Sequence, residues 1–575
     1  MGVPGFFAQL IKRYGDRILD TNFDQVINYL MLDANCFLHP TCLHVLKENP
    51  NASIKVLENK MLTAITEYLD VLIDTVKPQE LLYIAVDGVA PMAKIKQQRM
   101  RRYKTVKDTN NIKELSETHN ELYKSPKWSN ISITPGTEFM GKITAQINTY
   151  IQENQKRWQD IVGSTNLKVI FSSANTPGEG EHKILQYLKD GNVMEFMGGS
   201  QEDKHIVIYG LDADLIFLSL ALERKNMYLL RESSIFMSSD EPFTWVRIDE
   251  LRRCIVEMFY DFGFTPDYPN TKAVVRDYIF LCYLIGNDFL PNIPSVDIRH
   301  QGIDILLKTY IESFRGHYLV QPNGGIKLGF FKAICKGLAE YEEPTLRKRW
   351  AKSKRKKVPP HGSPYEQASW NFENLNFEID DKIRLGSDTP RKWNRRYYEE
   401  NFNRFFSDTK KSVPRICQEY IKGLFWITKY YFDQVVSWDW WYPYDHAPLA
   451  VSLAWFLDNE MMRKIRFEIS EPVTPYGQLL MVIPPSKSDI LPAPFNTLFQ
   501  DEQLEDILVE DFEMDYIMKQ KEYQGIPILP PFNVSRVRTL ISEKMKHLEA
   551  KSKRAKRQYK NMIDLNSQVR DYVYL

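Results

Sequence analysis

Residues 27–39 read INYLMLDANCFLH: a short apolar run, an aspartate at its end, then an apolar pattern that suits a helix. Unbroken apolarity over so short a run is what a strand buried on both faces of a parallel sheet requires, because neither face meets water. The same design recurs at LLYIAVD (81–87), KVIFS (168–172), HIVIYGL (205–211) and, shortest, MYLL (227–230). Longer stretches with helical periodicity separate these runs. The first 300 residues are therefore expected to form an α/β domain, a mainly parallel sheet with crossover helices on both sides.

Three of the runs lead into an acid: Asp33, Asp87, and Asp212 with Asp214 two residues on. Ligands of open α/β sheets bind at the carboxyl ends of the strands, although any one such aspartate also suits a loop cap or turn. If the Asp-x-Asp segment is extended, its period of two puts both carboxylates on one side. SSANTPGEGEHKILQYL (172–188) adds Glu179 and Glu181 at the start of an expected helix, where they would equally complement its positive end. In IGNDFLPNIP (285–294), Asp288 follows an apolar helix-like stretch and also suits a turn. Bringing such groups together is costly, since two like charges at 4 Å repel by about 4 kcal/mol at an effective dielectric near 20. Bound cations make the cluster reasonable, and oxygen-only ligands without cysteine or clustered histidine favour Mg²⁺ or Mn²⁺ over zinc. Two such ions about 4 Å apart activate water and stabilise the leaving oxygen of a phosphodiester, so phosphodiester hydrolysis is the chemistry to expect.

Lysine plus arginine total 75 against 74 acids, a net of +1, so any attraction for a polyanion must be local. One local signal is GVAPMAKIKQQRMRRYKTVK (88–107), an expected helix opened by Pro91, with seven basic residues and no acid before Asp108. Lys94, Gln98, Arg101 and Arg102 lie at i, i+4, i+7 and i+8, one helical face, and could converge on a single anion. The alternative is an exposed basic face that binds any polyanion. Between residues 425 and 444, ten of twenty residues are aromatic, most of them expected in the core, although an exposed tryptophan could stack a base. His39 is the other ring considered for stacking, a hydrogen-bonded structural role being its alternative.

At 43% hydrophobic and 26% charged, the composition is that of a folded globular chain. Six cysteines form no CxxC pair, which excludes the usual zinc-finger spacings and suits a reducing compartment. No run of about 18 apolar residues occurs, so no membrane span is expected. The start shows no secretory address, and Phe6 stands where a myristoylation signal wants Ser or Thr. The basic run RKRWAKSKRKK (347–357) leads into VPPHGSP, which cannot continue a helix, and a boundary is expected nearby. The expected division is a core carrying the acids at 1–340, a basic linker or insert at 341–396, a second region at 397–535, and a charged helical segment at 536–575.

The motifs MGVPGFF (1–7), MLDANCFLH (31–39), AVDGVAPMAKIKQQRMRRY (85–103), ITPGTEFM (133–140), SSANTPGEGEHKIL (172–185), YGLDADLI (209–216) and GNDFLP (286–291) occur in that order. SWDWWYPYDHAP (437–448), PYGQLLMVIPPSKSDILP (475–492) and GIPILPPF (525–532) follow. Together they resemble the Xrn/Rat family of 5′-to-3′ exoribonucleases, over residues 1 to about 560. The resemblance implies a PIN/flap-nuclease-like fold: a mixed, mainly parallel sheet flanked by helices, with a second aromatic-rich α+β region packed against it. It implies that Asp33, Asp87, Glu179, Glu181, Asp212, Asp214 and Asp288 hold two Mg²⁺ ions, with Mn²⁺ as a substitute. Lys94, Gln98, Arg101 and Arg102 would grip a 5′-monophosphate. His39 and a tryptophan of SWDWW, Trp438 before Trp440, would sandwich the terminal bases. The implied activity is processive hydrolysis of 5′-monophosphorylated single-stranded RNA to 5′-mononucleotides.

Two departures from the family pattern stand out: Tyr523 where relatives generally carry tryptophan, and the particular linker at 347–364. The chain also lacks the long C-terminal extension of many cellular relatives, so partners housed there are not expected, and a compact or virus-encoded member is one reading. A flap-type endonuclease would use the same acids, but NIPSVDIRHQGIDILL (292–307) lacks the closely spaced glycines that bring a backbone against duplex phosphates. A catalytically silent RNA-binding scaffold is the other alternative, and it would gain nothing from keeping seven mutually repelling acids. The expected location is the cytoplasm, with the basic runs at 347–357 and 551–557 leaving the nucleus as the alternative.

Overall fold

The five expected strands form at the expected places in a computed structural model, which describes all residues except 1–5, 21–22, 124–126, 190–202, 212–213, 234–241, 266–269, 355–356, 551–571 and 575. In chain order the strands are β1 (Leu19–Asp20), β2 (Tyr29–Asp33), β3 (Leu81–Ala85), β4 (Lys168–Ser172), β5 (Ile206–Tyr209), β6 (Met227–Glu232), β7 (Phe243–Arg247), β8 (Met514–Asp515), β9 (Ile526–Pro527) and β10 (Tyr572–Tyr574). One sheet runs β1-β7-β6-β5-β2-β3-β4-β10. The five central strands, β6-β5-β2-β3-β4, are parallel to one another, while β1, β7 and β10 pair antiparallel at the margins.

Strand periodicity divides each central strand between two cores. Tyr29, Met31, Tyr83, Ile206 and Ile208 face one apolar cluster. Leu30, Leu32, Leu82, Ile84, Val207 and Tyr209 face the other. The first cluster continues without a break into the aromatic-rich second region through Trp426, Tyr430, Tyr431 and Trp440. That region is built from helices, including Pro390–Phe402, Thr409–Phe432, Ala450–Asp458 and Pro475–Val482. Among the described residues its β structure is the single β8–β9 ladder.

The division expected at residue 340 falls inside a helix. The helix Leu328–Ser353 runs through that position and past Pro344, burying Ile334, Cys335, Leu338 and Leu346. The basic stretch begins on its last turns, at Arg347. VPPHGSP does end the helical run: a new helix, Pro364–Glu373, opens with Ser363 and Glu366 as a capping box. At the far end, the helix Val534–Ala550 packs Val537, Leu540 and Ile541 against Val89, Met92 and Ile95 of the first region, together with the 473–507 segment.

One buried carboxylate ties the regions together. Glu342 accepts hydrogen bonds from the Ala450 and Val451 amides at 2.8 and 3.0 Å and from the Ser295 hydroxyl at 3.2 Å. The two amides open the helix Ala450–Asp458, so Glu342 caps its positive end from a neighbouring helix. Glu342→Ala strands those buried donors and is expected to destabilise the chain by about 2–4 kcal/mol. Calorimetric melting that leaves the midpoint unmoved would refute this account of the cap.

Candidate active site

The loop after β4 is shaped by glycines that leave no room for a side chain. A Cβ on Gly88 would lie 1.8 Å from the Thr176 carbonyl oxygen, and one on Gly180 would lie 2.7 Å from Asp33 Oδ1. The backbones pair across this contact: the Gly88 amide donates to the Gly178 carbonyl at 2.9 Å, and the Gly178 amide to Val89 at 2.7 Å. This close approach carries Glu179 and Glu181, at the start of the helix Gly180–Lys189, against the carboxyl ends of β2 and β3. Lys183, one turn on, donates to the Val86 and Ser173 carbonyls at 2.8 Å each and locks the loop down.

Asp33 ends β2, where Cys36 Sγ donates to its Oδ2 at 3.1 Å. Asp87 lies two residues beyond β3; its carboxylate accepts from the Gly180 amide at 2.7 Å, and its own amide donates to Asn35 Oδ1 at 3.0 Å. Asp214 is the first residue of the helix Asp214–Ala221. Asp212 lies outside the described residues. Asp288 follows the helix Thr271–Tyr283 in a turn fastened by Asn287 Oδ1, which accepts from the Phe289 and Leu290 amides.

These acids are close enough to perturb one another. Burial, then Glu179, pushes Asp87 up, against the pull of the Gly180 amide and of Lys94 and Lys183. Burial drives Glu181 well above the ordinary carboxylate range, with Asp214, Glu179 and Asp33 adding to the effect and Lys94 opposing it. Glu181 Oε2 is buried without a hydrogen-bond partner. The Lys94 ammonium lies 2.5 Å from Glu179 Oε1 and 2.9 Å from Asp288 Oδ2. Burial works against its charge, but Asp288, Glu179, Glu181 and Asp214 override it and hold its pKa well above the ordinary lysine value. Burial likewise opposes the Asp288 charge, and Lys94 turns the balance, holding that carboxyl well below its usual range.

As a donor set, buried, crowded oxygens with an unsatisfied member fit a hard divalent cation. Among the described residues, however, no three carboxylate, histidine or cysteine groups close around one point as a metal-binding group. In this arrangement the Lys94 ammonium supplies positive charge to the cluster.

Lys94 belongs to the helix Met92–Thr118, whose basic residues the structure distributes among different tasks. Lys96 donates to the Tyr442 and Tyr444 carbonyls at 3.0 and 2.7 Å. Arg99 donates to the Pro530 carbonyl at 2.9 Å and lies 4.5 Å from the Phe532 ring centre. Lys104 pairs with Asp108 and Glu522. All three fasten the helix to later parts of the chain or to itself. Gln98 is buried, and its Oε1 accepts from Gln478 at 3.4 Å. Arg102 donates to Thr134 Oγ1 at 2.8 Å, while its Nη1 is buried without a partner. Burial, then the charge of Arg101, lowers its pKa to about 9. Arg101 is exposed and ion-pairs with no described residue. Lys94 and Arg101 do share a face, but seven residues of rise separate them by about 10 Å, so one reaches the acids and the other does not.

His39 is half-buried in the helix Asn35–Glu48, just after Asp33. Trp438 is half-buried, and its carbonyl accepts from the Met92 amide at 2.8 Å, which staples the tryptophan loop to the start of the basic helix. Trp440 is 7% exposed and packs on Trp426 with ring centres 5.4 Å apart, so it belongs to the core. Sequence reasoning missed two neighbours of the acids: the Tyr430 hydroxyl donates to Glu179 Oε2 at 2.8 Å, and the Tyr431 hydroxyl to Asp214 Oδ1 at 3.3 Å. Both sit near the end of the helix Thr409–Phe432, inside a stretch read only as aromatic core.

The family described as the XRN 5'-3' exonuclease N-terminus matches residues 1–233, and the Xrn1 helical domain matches 269–370 and 363–573. The two matches part between residues 233 and 269, well before the boundary expected at 340. The 5'-3' exoribonuclease 2 of Arabidopsis thaliana is 28% identical over an alignment covering 92% of this chain and 66% of that protein. The 5'-3' exoribonuclease 2 homolog of Drosophila melanogaster is 27% identical, with 92% of this chain and 69% of that protein covered. For the human 5'-3' exoribonuclease 1 the figures are 27%, 98% and 35%. The chain thus spans about two thirds of the first two relatives and about a third of the last.

The ion pairs of Lys94 make a prediction independent of activity. Lys94→Met leaves Glu179 and Asp288 buried without their cation and is expected to cost about 3–5 kcal/mol at neutral pH. Because the pair depresses the Asp288 pKa, its stabilisation exists above the unfolded-state value near 4 and fades as pH falls through the native one. Melting curves should therefore separate wild type from variant most at pH 7 and converge in acid; a constant gap would contradict the pairing.

Proposed function

The chain belongs to the XRN 5'-3' exonuclease family, and from that premise we propose that it is a 5′-to-3′ exoribonuclease that processively hydrolyses 5′-monophosphorylated single-stranded RNA to 5′-mononucleotides. The observation that carries the reading is the meeting of buried acids at the carboxyl edge of a parallel sheet, with a basic helix starting among them. Two Mg²⁺ or Mn²⁺ ions, held by Asp33, Asp87, Glu179, Glu181, Asp212, Asp214 and Asp288, would supply the Lewis acidity that lowers the pKa of the attacking water and neutralises the leaving 3′-oxygen.

The chain's own groups prepare that site. Tyr430 and Tyr431 fix the rotamers of Glu179 and Asp214, and the Gly180 amide fixes Asp87. Arg101 and Arg102 form the terminal-phosphate cradle: two adjacent guanidinium groups, one with a buried unpaired nitrogen, gain from a dianion between them. Lys94 and Gln98 line the approach from that cradle to the acids. His39 and Trp438 present the rings on which terminal bases stack, each stacking worth roughly 1–3 kcal/mol.

Asp214→Ala, like added EDTA, is expected to abolish turnover of an end-labelled 5′-phosphate RNA while RNA association by fluorescence anisotropy persists. Normal turnover in the variant would remove Asp214 from the site. Arg101→Ala is expected to narrow the advantage of 5′-phosphate over 5′-hydroxyl RNA by roughly tenfold, the scale of a charge-assisted hydrogen bond. An unchanged ratio would place the end-recognition site elsewhere. Circular RNA should resist the enzyme, since only an endonuclease opens it.

A further inference from the structure

Between the 285–299 loop that carries Asp288 and the 517–526 segment that includes Tyr523 lies a cavity of about 600 Å³. Its size falls within the range of about 300–1,000 Å³ typical of small-molecule sites. Arg231, Arg299, Arg349 and Lys519 line it, with Asp288, Asp297 and Asp445. Each acid is already engaged. Asp288 pairs with Lys94 at 2.9 Å, and Asp445 with Lys96 at 3.2 Å and with Arg404. Asp297 caps the Arg299 amide at 2.8 Å and lies 3.3 Å from His300 and 3.9 Å from Arg349.

The Lys519 ammonium, by contrast, makes no hydrogen bond or ion pair with a described residue. The nearest acid in its chain segment, Asp515, is taken by His446 at 3.1 Å. Burial presses the Lys519 pKa down, with Asp515 and Asp297 pulling against it and Arg349 adding to it, and burial likewise lowers that of Arg349 against the pull of Asp297. At both cations burial outweighs the neighbouring acids, so an anion that reaches the Lys519 ammonium beside Arg349 offsets the desolvation that remains. Tyr523 stands at the same cavity, 57% exposed, its hydroxyl accepting from Arg299 at 2.6 Å.

We propose that this cavity binds a nucleoside 5′-monophosphate, with the phosphate between Lys519 and Arg349 and the base against the Tyr523 ring, and that it receives the mononucleotide leaving the acidic cluster through the wall they share at Asp288. The identity of the ligand rests on the exonuclease reading; the site itself rests on the cavity and the Lys519 ammonium on its wall, while Arg349 and Arg299 are engaged by Asp297 and Tyr523. One such ammonium matches one phosphate, whereas a strand passing through would call for a row of unengaged cations along its backbone.

The test is isothermal titration of adenosine 5′-monophosphate into the full-length chain carrying Arg101→Ala, in EDTA, so that the terminal-phosphate cradle does not contribute. Binding is expected to persist there. Adding Lys519→Met should weaken it roughly tenfold or more, Lys519→Arg should restore it, and adenosine should bind at least about tenfold more weakly than the monophosphate. No binding to the Arg101→Ala chain, no effect of Lys519→Met, or equal binding of adenosine would overturn the site, and Lys519→Arg decides the matter if the methionine variant does not fold. Displacement of the monophosphate by a 5′-hydroxyl RNA decamer in a Lys519-dependent manner would give the cations to the strand and overturn the mononucleotide assignment. Failure of the exonuclease reading would register separately, as intact 5′-phosphate RNA after incubation of the wild-type chain with Mg²⁺.

Discussion

Carboxylates crowded into a dry site repel one another, and the architecture at the carboxyl edge of the sheet is organised around that repulsion. Gly180 permits the approach, since any side chain there would strike Asp33. Its amide then becomes a donor to Asp87. Lys94, in the first turn of the helix Met92–Thr118, is carried to Glu179 and Asp288, and the tyrosine hydroxyls satisfy two further oxygens. A folded protein tolerates such a cluster only if local hydrogen bonds and counter-charges offset its desolvation. Raised pKa values at Asp87 and Glu181 mark where the offset is incomplete. That residual is what a cation would relieve, and the strain would then become part of the binding energy of the proposed ions.

The second region completes this balance and so cannot be an appendage. Tyr430 and Tyr431 reach the acids from a helix that also buries Ile421, Leu424, Trp426 and Ile427 in the core shared with the sheet. Trp438 meets the start of the basic helix through its carbonyl, and Lys96 holds the chain at Tyr442 and Tyr444. Lys96 is half-buried, and burial with Arg404 nearby lowers its pKa to about 7, so this anchor works through its geometry and not through a strong surface charge. The consequence is a site whose acids come from the sheet and whose supports come from elsewhere. Separating the two would leave each with unsatisfied groups.

The parallel strands and most of the acids were legible in the sequence for one reason: a strand buried on both faces must be apolar throughout, so the polar residue that ends it stands out. β7, reading FTWVR, was not found, because one antiparallel strand at the margin carries no comparable signature. β1 and β10 are too short to show any period. The boundary expected near 340 falls within a helix, because composition reports on the solvent face, whereas Leu338 and Leu346 on its other face hold it in the core. Tyr430 and Tyr431 were invisible as supports, since hydroxyls that donate to a carboxylate and rings that merely pack have the same spelling. Trp440 shows the converse, a ring in a suggestive motif that the fold spends on packing against Trp426.

The basic helix makes the deeper point about charge. Counting cations along 94–107 gives seven, yet folding engages Lys94, Lys96, Arg99, Lys104 and Lys107 with carbonyls and carboxylates. What remains available to an anion is the remainder, Arg101 and Arg102, two like charges side by side with an unpaired buried nitrogen. The same subtraction applied to the 517–526 segment and its surroundings leaves Lys519, since Arg349 is held by Asp297 and the Pro294 carbonyl. On the proposed reading a phosphate at Arg101 and Arg102 would remove repulsion as well as add attraction. A net charge of +1 for the whole chain is compatible with strong local anion binding for that reason.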